Sequence, residues 1–109
     1  MDINSKQISV NGIKYFISYE GQEIARAYLY LLHNDLHVRP FGFMEDVNVH
    51  KEFQYIGIGR TLVSKIIEEA KKRDCYKLIC TSRDENKNVH RLYTKLGFED
   101  YGIEFRMNF

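Results

Sequence analysis

A chain of 109 residues with 44% hydrophobic and 28% charged residues has apolar material for one packed core and none to spare for a second. Its formal charge of +1 at pH 7 gives no electrostatic case for a nucleic-acid or membrane partner, and no apolar run approaches the ~20 residues that cross a bilayer. The opening MDINSKQISV lacks the basic end and apolar stretch of a secretory signal, so residues 1–109 read as a single cytoplasmic domain.

The first two elements are IKYFISYE (Ile13 to Glu20) and EIARAYLYLL, both rich in aromatic and branched residues and joined by a turn at Gly21-Gln22, which predicts a β-hairpin. The polar stretch HNDLHVRP follows, then FGFMEDVNV, which alternates well enough in its later part for a third strand with Pro40 at its entry or edge. Beyond Gly59, the residues Leu62, Val63, Ile66, Ile67 and Ala70 share one helical face, and Lys65, Glu68, Glu69, Lys71 and Lys72 face elsewhere. Lys71, Lys72 and Arg73 suit the negative end of that helix dipole.

CYKLICTS then reads as a short strand, with Tyr76, Leu78 and Cys80 on one side. In ENKNVHRLYTKLGF the residues Val89, Leu92, Tyr93 and Leu96 define a second helix, with Asp84 or Asn86 as its cap and Gly97 as its left-handed closing residue. The final run, IEFRMNF, alternates strictly: Ile103, Phe105, Met107 and Phe109 oppose Glu104, Arg106 and Asn108, the pattern of a half-buried strand. The expected order is three strands, helix, strand, helix, strand, with helices covering a mixed sheet of the α/β (α+β) class.

Cys75 and Cys80 have no histidine at zinc-site spacing, and His33, His37, His50 and His90 form no paired motif, so no metal is expected. Cys80, within an alternating apolar run, reads as a buried structural thiol.

The segment QYIGIGRTLV (Gln54 to Val63) carries a Gly-x-Gly pair into the first helix without a Ser, Thr, Asp or Asn cap. The first N–H groups of a helix lack internal partners, and with the helix dipole they attract an anion, most often a phosphate. A dinucleotide fingerprint would need glycine at Leu62, and a Walker loop would need glycine at Gln54 and lysine at Arg60.

What stands there is Gln-x-x-Gly-x-Gly, and VNVHKEFQYIGIGRTLV followed by NVHRLYTKLGF resembles the two signature segments of the GNAT superfamily of N-acetyltransferases. The likeness runs from Phe43 to the carboxyl terminus. FMEDVNV, DCYKLI and GFEDYGIEFRMNF are also similar to stretches of glucosamine-phosphate N-acetyltransferases and of small bacterial members. The resemblance implies a GNAT-like mixed, mostly antiparallel sheet flanked by helices, with a shortened N-terminal part: the family usually places a strand and helices ahead of the region of Ile13, where this chain has only about a dozen residues.

It further implies that Gln54, Tyr55, Ile56, Gly57, Ile58, Gly59, Arg60 and Thr61 form the loop that cradles the pyrophosphate of acetyl-coenzyme A. Val47, Asn48 and Val49 would pair with the pantetheine amides, and Asn86 or Asn88 would contact the cofactor. Tyr93 matches the family's usual position for the residue facing the departing thiolate; its phenol can donate a proton or a hydrogen bond there. Acetylation of a primary amine also needs a base, and Glu45 or Asp46, at the end of the third strand, can serve directly or through water. Strand neighbours point to opposite faces, so only one of these two is expected to reach the site, with Glu45 favoured.

Arg39, Phe41 and Glu45 are the candidates for holding the acceptor, with Arg39 able either to bind an acidic acceptor or to remain a solvated loop charge. The expected activity is acetyl transfer from acetyl-CoA to an amine by direct attack; a non-catalytic acyl-CoA sensor or an interaction module on the same fold are the alternatives. The aromatic final strand leaves open a sheet shared between two copies, as a homodimer.

Overall fold

The computed structural model describes residues 1–109 and forms two compact units, Met1–Ile79 and Cys80–Phe109. In the first unit, β1 (Asn11–Tyr19), β2 (Gln22–Leu32), β3 (Phe41–Val49) and β4 (Leu78–Ile79) form one sheet in the order β1-β2-β3-β4, antiparallel except for the last pair. The expected hairpin forms, but its two-residue turn is Glu20-Gly21, at φ 51° and 78°, one residue before the expected Gly21-Gln22, because Gln22 already pairs with Tyr19.

Alternation along β2 sends Ala25, Ala27 and Leu29 to one face and Arg26, Tyr28 and Tyr30 to the other. The register slips between Ile17 and Ser18, leaving Ile24 as an extra residue on β2, and this bulge lets both Ile24 and Ala25 be buried although they are neighbours.

The helix α1 (Ile58–Lys72) buries Leu62, Val63, Ile66 and Ala70, which with Ala25, Ala27, Leu29 and Met44 make up most of the core. Full burial of each large aliphatic side chain is worth about 1.5–3 kcal/mol, so this one helix face anchors the sheet. The helix ends in a Schellman motif: Cys75 N–H donates to Ala70 O at 3.0 Å and Asp74 N–H to Lys71 O at 3.0 Å, with Asp74 itself at φ 59°. The sequence has no glycine at that stop, and Asp74 takes the left-handed place instead.

Two expectations for the strands need correction. The run Cys75–Ser82 contributes only Leu78 and Ile79 to the sheet, because β4 pairs with β3 only at Gly42 and Phe43. Further along, β3 kinks: its register against β2 shifts between Arg26 and Tyr28, and Asp46 sits at φ 51°. From Met44 onward the outer edge of β3 has no strand beside it.

In the second unit, α2 (Lys87–Lys95) closes as expected on Gly97, at φ 106°, again with a Schellman pair: Phe98 N–H to Tyr93 O at 2.9 Å and Gly97 N–H to Thr94 O at 3.1 Å. The rings of Tyr93 and Phe98, 5.3 Å apart, supply the apolar contact that accompanies this motif. Asn86 occupies the N-cap position, yet its side chain makes no capping hydrogen bond, contrary to one of the two capping alternatives.

The expected strand over residues 103–109 does not form. Ile103, Phe105, Met107 and Phe109 stand at 83%, 91%, 77% and 112% relative exposure, and no strand is formed over this segment. No helix is long and apolar enough to cross a membrane.

Candidate functional site

The site starts where β3 leaves the sheet. After Val49, His50 N–H still bonds back to Ile24 O at 2.8 Å, and a 3-10 turn at Lys51–Phe53 is pinned by the Phe53 ring 5.4 Å from Tyr19. The Gln54 side-chain amide donates to Val49 O at 2.9 Å, which folds the loop back over the strand end. Tyr55 at φ 67° and Gly57 at φ 95° then put two left-handed residues into three, a backbone that turns successive N–H groups outward. A left-handed tyrosine is costly, and such strain concentrates where a loop has a task.

Gly57 is the N-cap of α1, without a side chain to satisfy the first turn. The helix closes through Thr61, whose N–H and hydroxyl both donate to Gly57 O, at 3.0 and 2.9 Å. The N–H groups of Ile58, Gly59 and Arg60 precede the first intrahelical bond and carry no partner. The first turn has no acidic residue and instead carries Arg60, the arrangement that suits an external anion. A Cβ built on Gly59 meets only Val49 Cγ2, at 3.8 Å, so the space above it is open.

Glu45 and Asp46 lie upstream on the same strand. Antiparallel partners share a face, so Glu45, opposite Tyr28, lies on the face of Arg26 and Tyr28. Asp46 takes the Arg26 guanidinium in a two-pronged pair, Nε to Oδ2 at 2.7 Å and Nη2 to Oδ1 at 3.3 Å. The kink therefore brings both carboxylates to one face, which overturns the expectation from strict alternation that they would face apart. Arg26 also approaches Glu23, itself paired with Lys14, so Asp46 is tied into a charge network across three strands. Glu45 makes no ion pair or hydrogen bond and stands exposed.

The other acceptor candidates sit at the opposite end of β3. Arg39 pairs with Asp74 at 3.5 Å, both largely exposed, an interaction of little energetic weight. Phe41 packs edge-on against Tyr76 with the Lys77 ammonium 5.0 Å above its ring. A cavity of about 290 Å³ lined by Ser9, Asn11, Leu31, His33, Pro40 and Arg73 lies at this end, remote from the Gly57–Gly59 loop.

In the second unit, Asn88 accepts from Arg91, whereas the side chain of Asn86 is uncommitted. Burial pushes the Tyr93 hydroxyl up to about 12, with a smaller contribution from Cys80, and pushes the Cys80 thiol up to about 11. Both groups are thus held in their neutral forms. Since both values are raised above the ordinary 10.0 and 9.0, the stabilisation is complete below pH ~9 and is lost as pH climbs through 11 and 12. Chemical denaturation in a pH series is expected to show constant unfolding free energy from these two groups up to about pH 9 and a fall above it; in Cys80→Ala the lower part of that fall should shrink.

Sequence reasoning missed Arg26, visible only as a lone cation in the apolar run of β2, and the positioning bond of Gln54.

The strand that parts from its parallel neighbour and turns into an uncapped helix gives a mixed α/β fold with a bare helix end beyond an open strand edge. The sequence pattern described as Acetyltransferase (GNAT) family matches residues 4–98. The chain belongs to that family. It is 35% identical over 68 residues to glucosamine 6-phosphate N-acetyltransferase of Candida albicans, covering 62% of this chain and 44% of that protein. Thialysine N-epsilon-acetyltransferase of Caenorhabditis elegans is 29% identical over 93 residues, 85% of this chain and 58% of that one. The solved glucosamine-6-phosphate N-acetyltransferase of Arabidopsis thaliana superimposes with a TM-score of 0.81 at 26% identity, over 90% of this chain and 67% of that one. The chain spans about half the length of the curated relatives it matches.

Proposed function

We propose that this chain transfers an acetyl group from acetyl-CoA to a primary amine of a small polar molecule. The observation that carries the reading is the uncapped amino end of α1, with free N–H groups at Ile58, Gly59 and Arg60, following a strand whose outer edge has no neighbour from Met44 onward. The relatives are named for amine-bearing acceptors, glucosamine 6-phosphate and thialysine among them, which supports a small-molecule amine as the acceptor here.

In this mechanism the first-turn N–H groups and Arg60 hold the pyrophosphate, and Gln54 fixes the loop around it. Val47, Asn48 and Val49 offer their backbone groups to the pantetheine arm, and Asn86 is preferred over Asn88 as the second contact because its amide is free. Acetyl-CoA supplies the activated acyl group as a thioester. Glu45 draws the acceptor ammonium and takes its proton, directly or through water, while Asp46 shapes the strand through Arg26.

The raised value of Tyr93 refines its role. Burial keeps the Tyr93 phenol protonated, so it is available to donate a hydrogen bond or a proton to the departing sulfur. Tyr93→Phe keeps the ring contact with Phe98 and is expected to lower kcat about 10- to 100-fold with acetyl-CoA affinity unchanged. Thiol release with a panel of small amines tests the reading: no amine-dependent release from a protein that binds acetyl-CoA would overturn it.

A further inference from the structure

At the carboxyl end of α1, the cavity lined by Ser9, Asn11, Leu31, His33, Pro40 and Arg73 has walls that the backbone holds in place. Asn11 and Leu31 oppose each other across β1 and β2, two residues along from the opposed pair Ile13 and Leu29, so they continue the sheet face that α1 covers. Leu29 is fully buried and Leu31 half-buried, so the floor of the cavity is the core face of the sheet where the helix stops. Pro40, two residues before the Gly42 that lies under Ala70, is held by Tyr76 N–H donating to Pro40 O at 3.0 Å. Arg73 is the C-cap residue of α1, fixed by the Schellman motif, and His33 Nε2 lies 2.7 Å from Val38 O, which ties down the loop between β2 and β3.

We propose that this cavity binds a free α-amino acid with a small apolar side chain. Arg73 gives only Nε to Glu69, at 2.7 Å, so the N–H bonds of its two terminal nitrogens remain for a carboxylate, which they can grip at both oxygens. No acidic residue lines the cavity to compete for them. A carbonyl only accepts, so the His33 nitrogen that meets Val38 O carries the hydrogen, and Nδ1 of the neutral ring faces outward as an acceptor. With the Asn11 amide oxygen and the Ser9 hydroxyl it offers three acceptors for the ammonium beside that carboxylate. Leu31 and Pro40 supply the apolar surface for the side chain. A volume of about 290 Å³ equals roughly ten waters, enough for a molecule of the size of leucine. Preformed walls, an apolar floor and a few convergent polar groups are what a small-ligand site requires. The 15 residues of α1 span about 22 Å, so this site stands a helix length from the Gly57–Gly59 loop, and the inference does not rest on acetyl transfer.

Amide correlation spectra of the nitrogen-15-labelled chain, titrated with L-leucine to about 10 mM, test it. Saturable shifts are expected at Ser9, Asn11, Leu31, His33 and Arg73, with Kd about 1 mM or tighter, and none at Ile58, Gly59 or Arg60. L-leucinol, which lacks the carboxylate, and 4-methylvalerate, which lacks the ammonium, are each expected to bind at least about 10-fold more weakly. Arg73→Gln and Asn11→Ala, on separate elements and with folding read from the same spectra, should each weaken L-leucine at least about 10-fold. No saturable shift in the folded chain, shifts centred on the amino end of α1, equal binding of L-leucine and either control, or wild-type affinity in both variants would each overturn the assignment. Acetyl-CoA is absent throughout, so none of these outcomes bears on acetyl transfer.

Discussion

Gly59→Leu is expected to yield a folded protein that binds acetyl-CoA at least about 100-fold more weakly, a loss of about 2.7 kcal/mol. The nearest atom to a Cβ at this position is Val49 Cγ2 at 3.8 Å, an ordinary contact, so the first carbon of the new side chain is accommodated without a clash. Leucine also has better helix propensity than glycine, so stability should hold or rise slightly. Yet Cα–Cβ bonds in a helix tilt toward the amino end, so the new side chain stands in front of the free N–H groups of Ile58, Gly59 and Arg60. Isothermal calorimetry paired with a thermal melt checks this: unchanged melting with lost binding is the expected pair, and unchanged binding would sink the assignment of the loop.

Glu45→Gln is expected to lower kcat/KM for the amine about 10²- to 10⁴-fold, the usual weight of a positioned general base. At pH 7 only roughly one lysine-like amine in 2,500 is neutral, so removal of its proton is a real part of the barrier. Glu45 is the uncommitted carboxylate on its strand, whereas Asp46 is held by Arg26, and the change from carboxylate to amide at an exposed position should leave stability within about 0.5 kcal/mol. Steady-state rates across pH 6–9 provide the check. The wild-type rate should rise with pH as the neutral amine accumulates, and Tyr93, protonated up to about 12, should not bend that rise. Asp46→Asn, by contrast, should act mainly on stability and on cofactor binding, through the kink; a larger loss of rate there than in Glu45→Gln would exchange their roles.

The hairpin, α1 and the closing Gly97 were legible because each depends on local chemistry: alternation, a 3.6-residue period and a left-handed position that glycine fills. The loop at Gly57–Gly59 was legible for the same reason, since an absent cap is visible in the letters alone. What escaped depends on partners distant in sequence. The kink at Asp46 is set against β2 some twenty residues earlier and stabilised by Arg26, so strict alternation misplaced Asp46 relative to Glu45. The run around Leu78 is cut to two residues because it pairs with β3 only at Gly42 and Phe43, and no periodicity within the run itself encodes where that pairing ends. The terminal segment shows the converse: its pattern is that of a strand, but pattern specifies only which face is apolar and cannot supply the second backbone.

The central claim is that the bare end of α1 holds the pyrophosphate of acetyl-CoA, and calorimetry with acetyl-CoA against S-acetylpantetheine, which keeps the thioester arm and lacks the pyrophosphate, tests it most directly. Micromolar binding of acetyl-CoA with binding of S-acetylpantetheine weaker by two orders of magnitude or more is the predicted result. Equal binding of the two, or no binding of either by the folded protein, would contradict the account and leave the Gly-Ile-Gly loop as a turn.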